Sequence, residues 1–158
     1  MEVTTRLFGK IDLDDEKIIE FPGGIVGFPD MKRFALLHDS EKSDGSGLGF
    51  LQSLDEPAFD MPVMNPLIVK PDYNPVIEDD LLTPLGELTS TDTVLLVTVT
   101  VPHDLKKMTV NLMAPIIINA ATKKGAQLIL NDNSCEIRFP IYDILAKAKE
   151  EADGKAVQ

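Results

Sequence analysis

The segment Met108-Thr-Val-Asn-Leu-Met-Ala-Pro-Ile-Ile-Ile-Asn119 joins two strand-like patterns at a proline and carries no residue suited to nucleophilic or acid–base chemistry. Met108, Val110, Leu112 and Ala114 fall on one face, opposite Thr109, Asn111 and Met113. Pro115 has no donor for a sheet ladder, which predicts a strand end or sheet edge there. Just upstream, Thr93 to Val101 places Leu95, Val97, Val99 and Val101 on one side and Thr98 and Thr100 on the other. A period of two marks a half-buried strand. The expected fold class is mainly β: a small antiparallel barrel-like or sandwich domain that binds rather than reacts.

Working outward, turn residues punctuate short apolar runs at the spacing of an all-β fold. Val3 to Phe8 reads as the first strand, and Lys10 to Leu13 with Lys17 to Phe21 read as a hairpin. Pro22-Gly23-Gly24 is a turn. Ile25 to Phe28 continues the chain, and Pro29-Asp30 opens a helical turn over Met31 to Arg33. Strands then follow over Phe34 to His38, Leu48 to Leu54 and Phe59 to Met64, with a mobile loop expected over Ser40 to Gly47. Prolines 62, 66, 71 and 75 demand edge or irregular backbone. Asp79 to Leu85 suits a short helix limited by Pro84. Pro115 to Asn119 and Ala126 to Leu130 read as strands flanking a loop, and Cys135 to Phe139 as a last strand. Ile141, Ile144, Leu145, Ala148 and Ala152 have helical spacing, which predicts a C-terminal amphipathic helix. Docking of that helix on the barrel is favoured over partner binding. The expected organisation is one domain over residues 1–152 and a frayed tail over 153–158.

A chain of 158 residues can bury roughly 70% of its unfolded surface, enough for one core. No apolar run approaches the ~20 residues of a membrane-spanning helix, and the first residues lack a secretory signal. A cytoplasmic protein with no membrane partner is therefore expected. Cys135 is the only cysteine, which excludes an internal disulfide and favours a buried structural thiol. Net charge is −11, and Asp39 to Asp92 alone holds twelve acids against Lys42 and Lys70. Such a field repels nucleic acid and speeds encounter with a basic protein, although it also suits a simply solvated face.

Chemistry-bearing patterns are weak throughout. His38 and His103 are the only histidines. His103-Asp104 resembles paired metal ligands of helical phosphohydrolases, but those sites need further histidines. Asp12, Asp14 and Glu16 alternate like the start of a calcium loop, yet Lys17 occupies the position that requires glycine. Phosphate-binding glycine loops, nucleophile elbows and dinucleotide fingerprints are missing. Lys106-Lys107 and Lys123-Lys124 are isolated pairs, so direct nucleic-acid binding is not expected. Met61, Met64, Met108 and Met113 suit core filling or an apolar docking face. No enzyme activity, cofactor or metal is expected.

Several segments together resemble the bacterial flagellar assembly factor FliW family: Phe21-Pro-Gly-Gly-Ile-Val-Gly-Phe28, Leu51-Gln-Ser-Leu-Asp55, Pro71-Asp-Tyr73, Val97-Thr-Val-Thr-Val-Pro102 and Met108 to Asn119. The resemblance spans about Arg6 to Pro140. Ala120 stands where that family often has proline, Pro84 interrupts a segment that is often a longer helix, and the Ser40 to Gly49 loop is peculiar to this chain. Resemblance to this family implies a non-enzymatic β domain with two protein partners, the translational regulator CsrA and flagellin. It implies capture of the RNA-binding repressor, and its release when unexported flagellin competes. On this basis Gln52, Asp55, Asp72, Tyr73, Glu78, Asp79 and Asp80 are expected to face the repressor, with Asn111 and Met113 as further contacts, and the free protein to be monomeric. Asn111 also suits bonding to neighbouring backbone, and Tyr73 covering the barrel edge. The competing expectation is a ligand- or flavin-binding β barrel.

Overall fold

A computed structural model describes residues 2–5, 9–37, 49–75, 77, 79–89, 91–130 and 136–147. His38, the Ser40 to Gly47 loop, Glu78, Cys135, Ala148, Ala152 and the tail over 153–158 lie outside the described residues. Among the described residues, eleven strands occur in chain order: β1 (Glu2–Thr5), β2 (Gly9–Asp12), β3 (Ile18–Glu20), β4 (Arg33–Leu37), β5 (Gly49–Ser53), β6 (Asp60–Met64), β7 (Thr93–Thr100), β8 (Thr109–Val110), β9 (Ile116–Asn119), β10 (Lys124–Gln127) and β11 (Phe139–Pro140). Neighbours run β11, β8, β7, β6, β5, β4, β3, β10, β9, and β9 pairs back onto β7. Strands β3, β4, β5, β6, β7, β9 and β10 therefore form a closed ring, and β8 and β11 extend it outside.

Closure depends on the length of β7. Its residues Thr93 to Leu96 pair with β9, and Val99 and Thr100 pair with β8. Val63 and Met64 of β6 pair with Thr98 and Val97. All these ladders are antiparallel. The one parallel pairing in the ring joins β10 to β3 at Lys124 and Glu20.

The ring is filled by side chains from its own strands. Ile19, Phe34, Leu51, Val63, Leu96, Ile116 and Ile118 form one buried cluster with Phe21 and Ile25. Phe21 meets Phe34 edge-on, with ring centroids 5.3 Å apart, an arrangement favoured by aromatic quadrupoles. On β10 the inward position is Gly125, and a Cβ there would stand 2.8 Å from the Phe21 ring. Phe21 thus occupies the volume that a β10 side chain would otherwise take.

Three outer coverings surround the ring. The antiparallel β1–β2 hairpin brings Ile11 and Leu13 against Ala35, Ile18 and Leu37. Met64, Val97, Val99, Val110 and Leu112 form a second buried cluster with Val69, Tyr73, Leu130 and Ile141. Leu85, Ile117 and Leu128 form a third, with Leu82, Leu88 and Leu95 packed beside it. The segment from Pro66 to Leu88 crosses the outside of the ring between these last two clusters. It includes a 3-10 turn at Pro66–Ile68, the helix α1 (Asp79–Leu82), and a second 3-10 turn at Thr83–Leu85. Pro84 lies inside that second turn, so α1 spans four residues. The helix over 142–147, α2, docks through Ile144 and Leu145 beside Ile141.

Several sequence expectations are corrected. Lys10 to Leu13 and Lys17 to Phe21 do not pair with each other; β2 pairs with β1, and β3 with β4. A 3-10 turn at Asp15–Lys17 separates them and carries the chain to a different sheet. Met31 and Lys32 are not helical, because Phe28 and Ile25 close a tight bridge and Arg33 already begins β4. The strand starting at Met108 stops at Val110 rather than running to Ala114. β7 is buried on both faces near its start: Val94 and Leu96 join the ring interior while Leu95 packs outside. The β9–β10 hairpin forms, but β10 spans Lys124–Gln127 rather than Ala126 to Leu130.

Ile116 is fully buried in the ring and Ile129 is 63% exposed. Ile116→Ala is expected to cost about 2–5 kcal/mol through loss of packing and a residual cavity, and Ile129→Ala no more than about 0.5 kcal/mol. Urea unfolding of the two variants measures the difference.

Candidate partner-binding site

Two neighbourhoods receive the residues nominated by sequence. The first lies where the crossing segment meets the Asn111 to Ala114 turn. The Asn111 side-chain oxygen accepts from the Met113 backbone N–H at 3.0 Å, which folds the chain back as an Asx turn. That bond ends β8 where continued alternation predicts more strand. Tyr73 is buried, and its hydroxyl donates to the Leu112 carbonyl. The crossing segment is thereby tied to the turn, and Asp72 is brought beside it.

Asp72 projects outward, with 84% of its side chain exposed, and Lys70 stands 3.5 Å from it. The Lys70 ammonium also lies 5.7 Å from the Phe139 ring centroid. An ion pair at the surface contributes little stability, and the Asp72 carboxylate stays open to solvent beside Lys70. Asp80 is exposed on α1, and Met113 is half-buried against the second outer cluster.

Asp55 occupies the other neighbourhood, the β5–β6 turn. One carboxylate oxygen accepts from the Lys32 and Arg33 backbone N–H groups at 2.9 and 3.0 Å. The other accepts from Arg33 Nε at 3.2 Å. Burial opposes its charge, but the Arg33 and Lys32 backbone donors and the Arg33 guanidinium outweigh that effect and hold the carboxyl below its ordinary value. Beside it lies an open concavity of about 650 Å³ that mixes Asp15, Glu20 and Asp30 with Lys32, Arg33 and Lys123. The helical turn expected over Met31 to Arg33 hides this basic contribution, which arises because Arg33 opens β4 and Lys32 precedes it beside Asp55. The signal was the β-favouring run that follows Arg33.

Gln52 and Tyr73 are both buried and bond to backbone carbonyls. Gln52 is 1% exposed, and its side-chain nitrogen donates to the carbonyls of Ser53, Pro57 and Phe59. It holds the turn that carries Asp55. Tyr73 likewise braces Asp72 from within. The same logic governs Asn119, which sequence reading left out of the site. Its side-chain nitrogen donates to the carbonyls of Leu85 and Glu87, and its oxygen accepts from the N–H groups of Ala121 and Thr122. One buried amide joins the β9–β10 turn to the end of the crossing segment.

Among the described residues, no group of three or more His, Cys, Asp or Glu side chains is arranged to hold a metal ion, and no helix is long and apolar enough to cross a membrane. The fold defines the class as a small closed β barrel, its buried amides of Gln52 and Asn119 bonded to backbone carbonyls. The particular family is set by comparison with known proteins. The family profile described as FliW protein matches residues 2–141. The flagellar assembly factor FliW of Lachnoclostridium phytofermentans is 43% identical over 155 residues, which cover 98% of this chain and 99% of that protein. The flagellar assembly factor FliW of Lachnospira eligens is 45% identical over 148 residues, covering 93% and 98%. A solved structure described as a crystal structure of the flagellar assembly factor FliW superposes with a TM-score of 0.82 at 30% identity, covering 90% of this chain and 97% of that one. The chain belongs to the FliW family of flagellar assembly factors.

The Asp55 arrangement has a pH signature. Because its folded pKa lies below its ordinary value of 3.8, the unfolded chain binds more protons between the two values, and stability rises with pH there. The contribution is complete above the ordinary value and is lost as pH falls through the folded one. Asp55→Asn is expected to flatten that part of the stability curve, measured by urea unfolding at stepped acidic pH. Asn119→Ala strands buried carbonyl groups and is expected to cost about 1–3 kcal/mol.

Proposed function

We propose that this chain is a non-enzymatic, cytoplasmic flagellar assembly factor that sequesters the translational regulator CsrA and also binds flagellin. Capture of CsrA frees flagellin message for translation, and unexported flagellin displaces CsrA and restores repression. The cycle couples synthesis to export with no covalent step. The free protein is monomeric in this reading.

Membership of the FliW family carries the proposal, and the charge arrangement supports it. A regulator that grips RNA presents basic surface, and the Asp39 to Asp92 segment offers twelve acids against two bases. Asp72 and Asp80, both exposed, stand on the crossing segment within that stretch. Asn111 and Met113 lie at the adjoining turn, where a half-buried methionine suits an adaptable apolar contact. Glu78 and Asp79 extend the same acidic run in sequence. Asp55, already committed to Arg33, contributes more to the turn than to a partner.

Electrostatic recruitment predicts that association with immobilised CsrA slows as salt rises, because screening shortens the reach of the field. The double variant Asp72→Lys/Asp80→Lys is expected to lower the association rate at low salt by about tenfold, with a smaller change in dissociation. Stopped-flow or surface binding kinetics at stepped ionic strength provide the measurement. A rate independent of salt and of both substitutions would reject the acidic-face mechanism.

A further inference from the structure

The turn between β5 and β6 is tied down by two side chains, one carried on the turn and one beneath it. The Asp55 carboxylate, on the turn, accepts from the backbone N–H groups of Lys32 and Arg33 and from the Arg33 guanidinium. Beneath it, the Gln52 amide nitrogen donates to the carbonyls of Ser53 and Pro57 at 3.0 Å and of Phe59 at 3.2 Å. A backbone bond also joins the turn to β4, from the Leu54 N–H to the Arg33 carbonyl at 2.8 Å.

The inner tie is unevenly satisfied. An amide nitrogen carries two hydrogens, so the three carbonyls around it must share them. Its oxygen, Gln52 Oε1, is the one buried side-chain oxygen or nitrogen without a hydrogen-bond partner among the described residues. Reversing the amide would set that oxygen against three carbonyl oxygens, which fixes its direction. A buried acceptor with no donor costs free energy while the turn is shut. Hydration removes that cost once the turn lifts from the amide.

Both ends of the turn are anchored. Ser53 is fully buried and pairs with Phe34 in the β4–β5 ladder, and its N–H donates to the Phe59 carbonyl at 2.9 Å. Phe59 packs between Phe28 and Phe34, with ring centroids 4.8 and 6.2 Å away. Between these anchors Asp55, Glu56, Pro57 and Ala58 are exposed, and Pro57 has no N–H to bond.

We propose that Leu54 to Ala58 form a hinged flap, latched by Asp55 and Gln52, which opens as one unit about Ser53 and Phe59. Opening separates Asp55 from Arg33. The adjoining concavity, lined also by Asp15, Glu20, Asp30 and Lys123, then gains an unpaired carboxylate and an unpaired guanidinium. The flap thus switches the charge that this face offers, whichever proteins the chain binds.

Amide hydrogen exchange of the full chain, followed by NMR at neutral pH, tests the flap. The Lys32, Arg33 and Leu54 N–H groups each lose their acceptor on opening. They are expected to share one protection factor, at least about tenfold below that of the bonded amides within the β4–β5 ladder. Gln52→Met removes the inner latch and leaves the acceptor of Lys32 and Arg33 in place; Asp55→Ala removes the outer latch and leaves the acceptor of Leu54. Each variant is expected to lower protection about tenfold at the amides whose acceptors remain. Asp55→Ala alters an exposed turn residue and keeps the test informative if Gln52→Met folds poorly. Three unequal protection factors, exchange only through global unfolding, or losses confined to each latch's own partners would overturn the flap.

Discussion

Closing a ring of seven strands gives each of them a neighbour on both edges, and β7 serves three strands at once. Its first half seals the barrel against β9, while its second half gives one edge to β6 and the other to β8. The break between β8 and β9 follows from this shared use. One continuous partner would have to follow β7 along its whole length, whereas Asn111 turns the chain at its own side chain and Pro115 withholds a donor. The two short strands can then lie on the same edge of β7 with Leu112 and Ala114 buried between them. The Tyr73 bond to Leu112 uses that turn as an attachment point. Without closure at β7 the crossing segment has no surface to cross.

Much of the β content is legible in the sequence because alternating apolar residues and turn formers operate locally. Pairing is less legible. The β2 and β3 patterns are adjacent in sequence, so a hairpin is the local solution, but their partners are chosen by which apolar face each must cover. Ile11 and Leu13 cover the outside of β4, while Ile19 enters the barrel. The two-sided burial of β7 is similarly hidden, because Leu96 becomes interior only when the ring is closed.

Site residues divide along the same physical line. Asp72 and Asp80 belong to an acidic stretch that composition alone exposes. Gln52 and Tyr73 stand in the same motifs, but their long polar side chains satisfy backbone groups that irregular chain leaves unpaired. A resemblance to a family identifies the motif without distinguishing residues that meet solvent from those that hold them in place. Asn119 is the clearest example: four backbone partners gather around one amide, and none is close to it in sequence pattern except the turn that follows.

The parallel join between β3 and β10 has a temporal consequence. Near this seam, the Val26 N–H bonds to the Gln127 side chain across 101 residues. In a growing polypeptide the β10-facing edge of β3 therefore has no partner strand until residues 124–127 have left the ribosome. Distant pairing slows folding because loop-closure entropy is lost before the contacts that reward it form. The nascent chain consequently presents an unfinished ring until β10 is made.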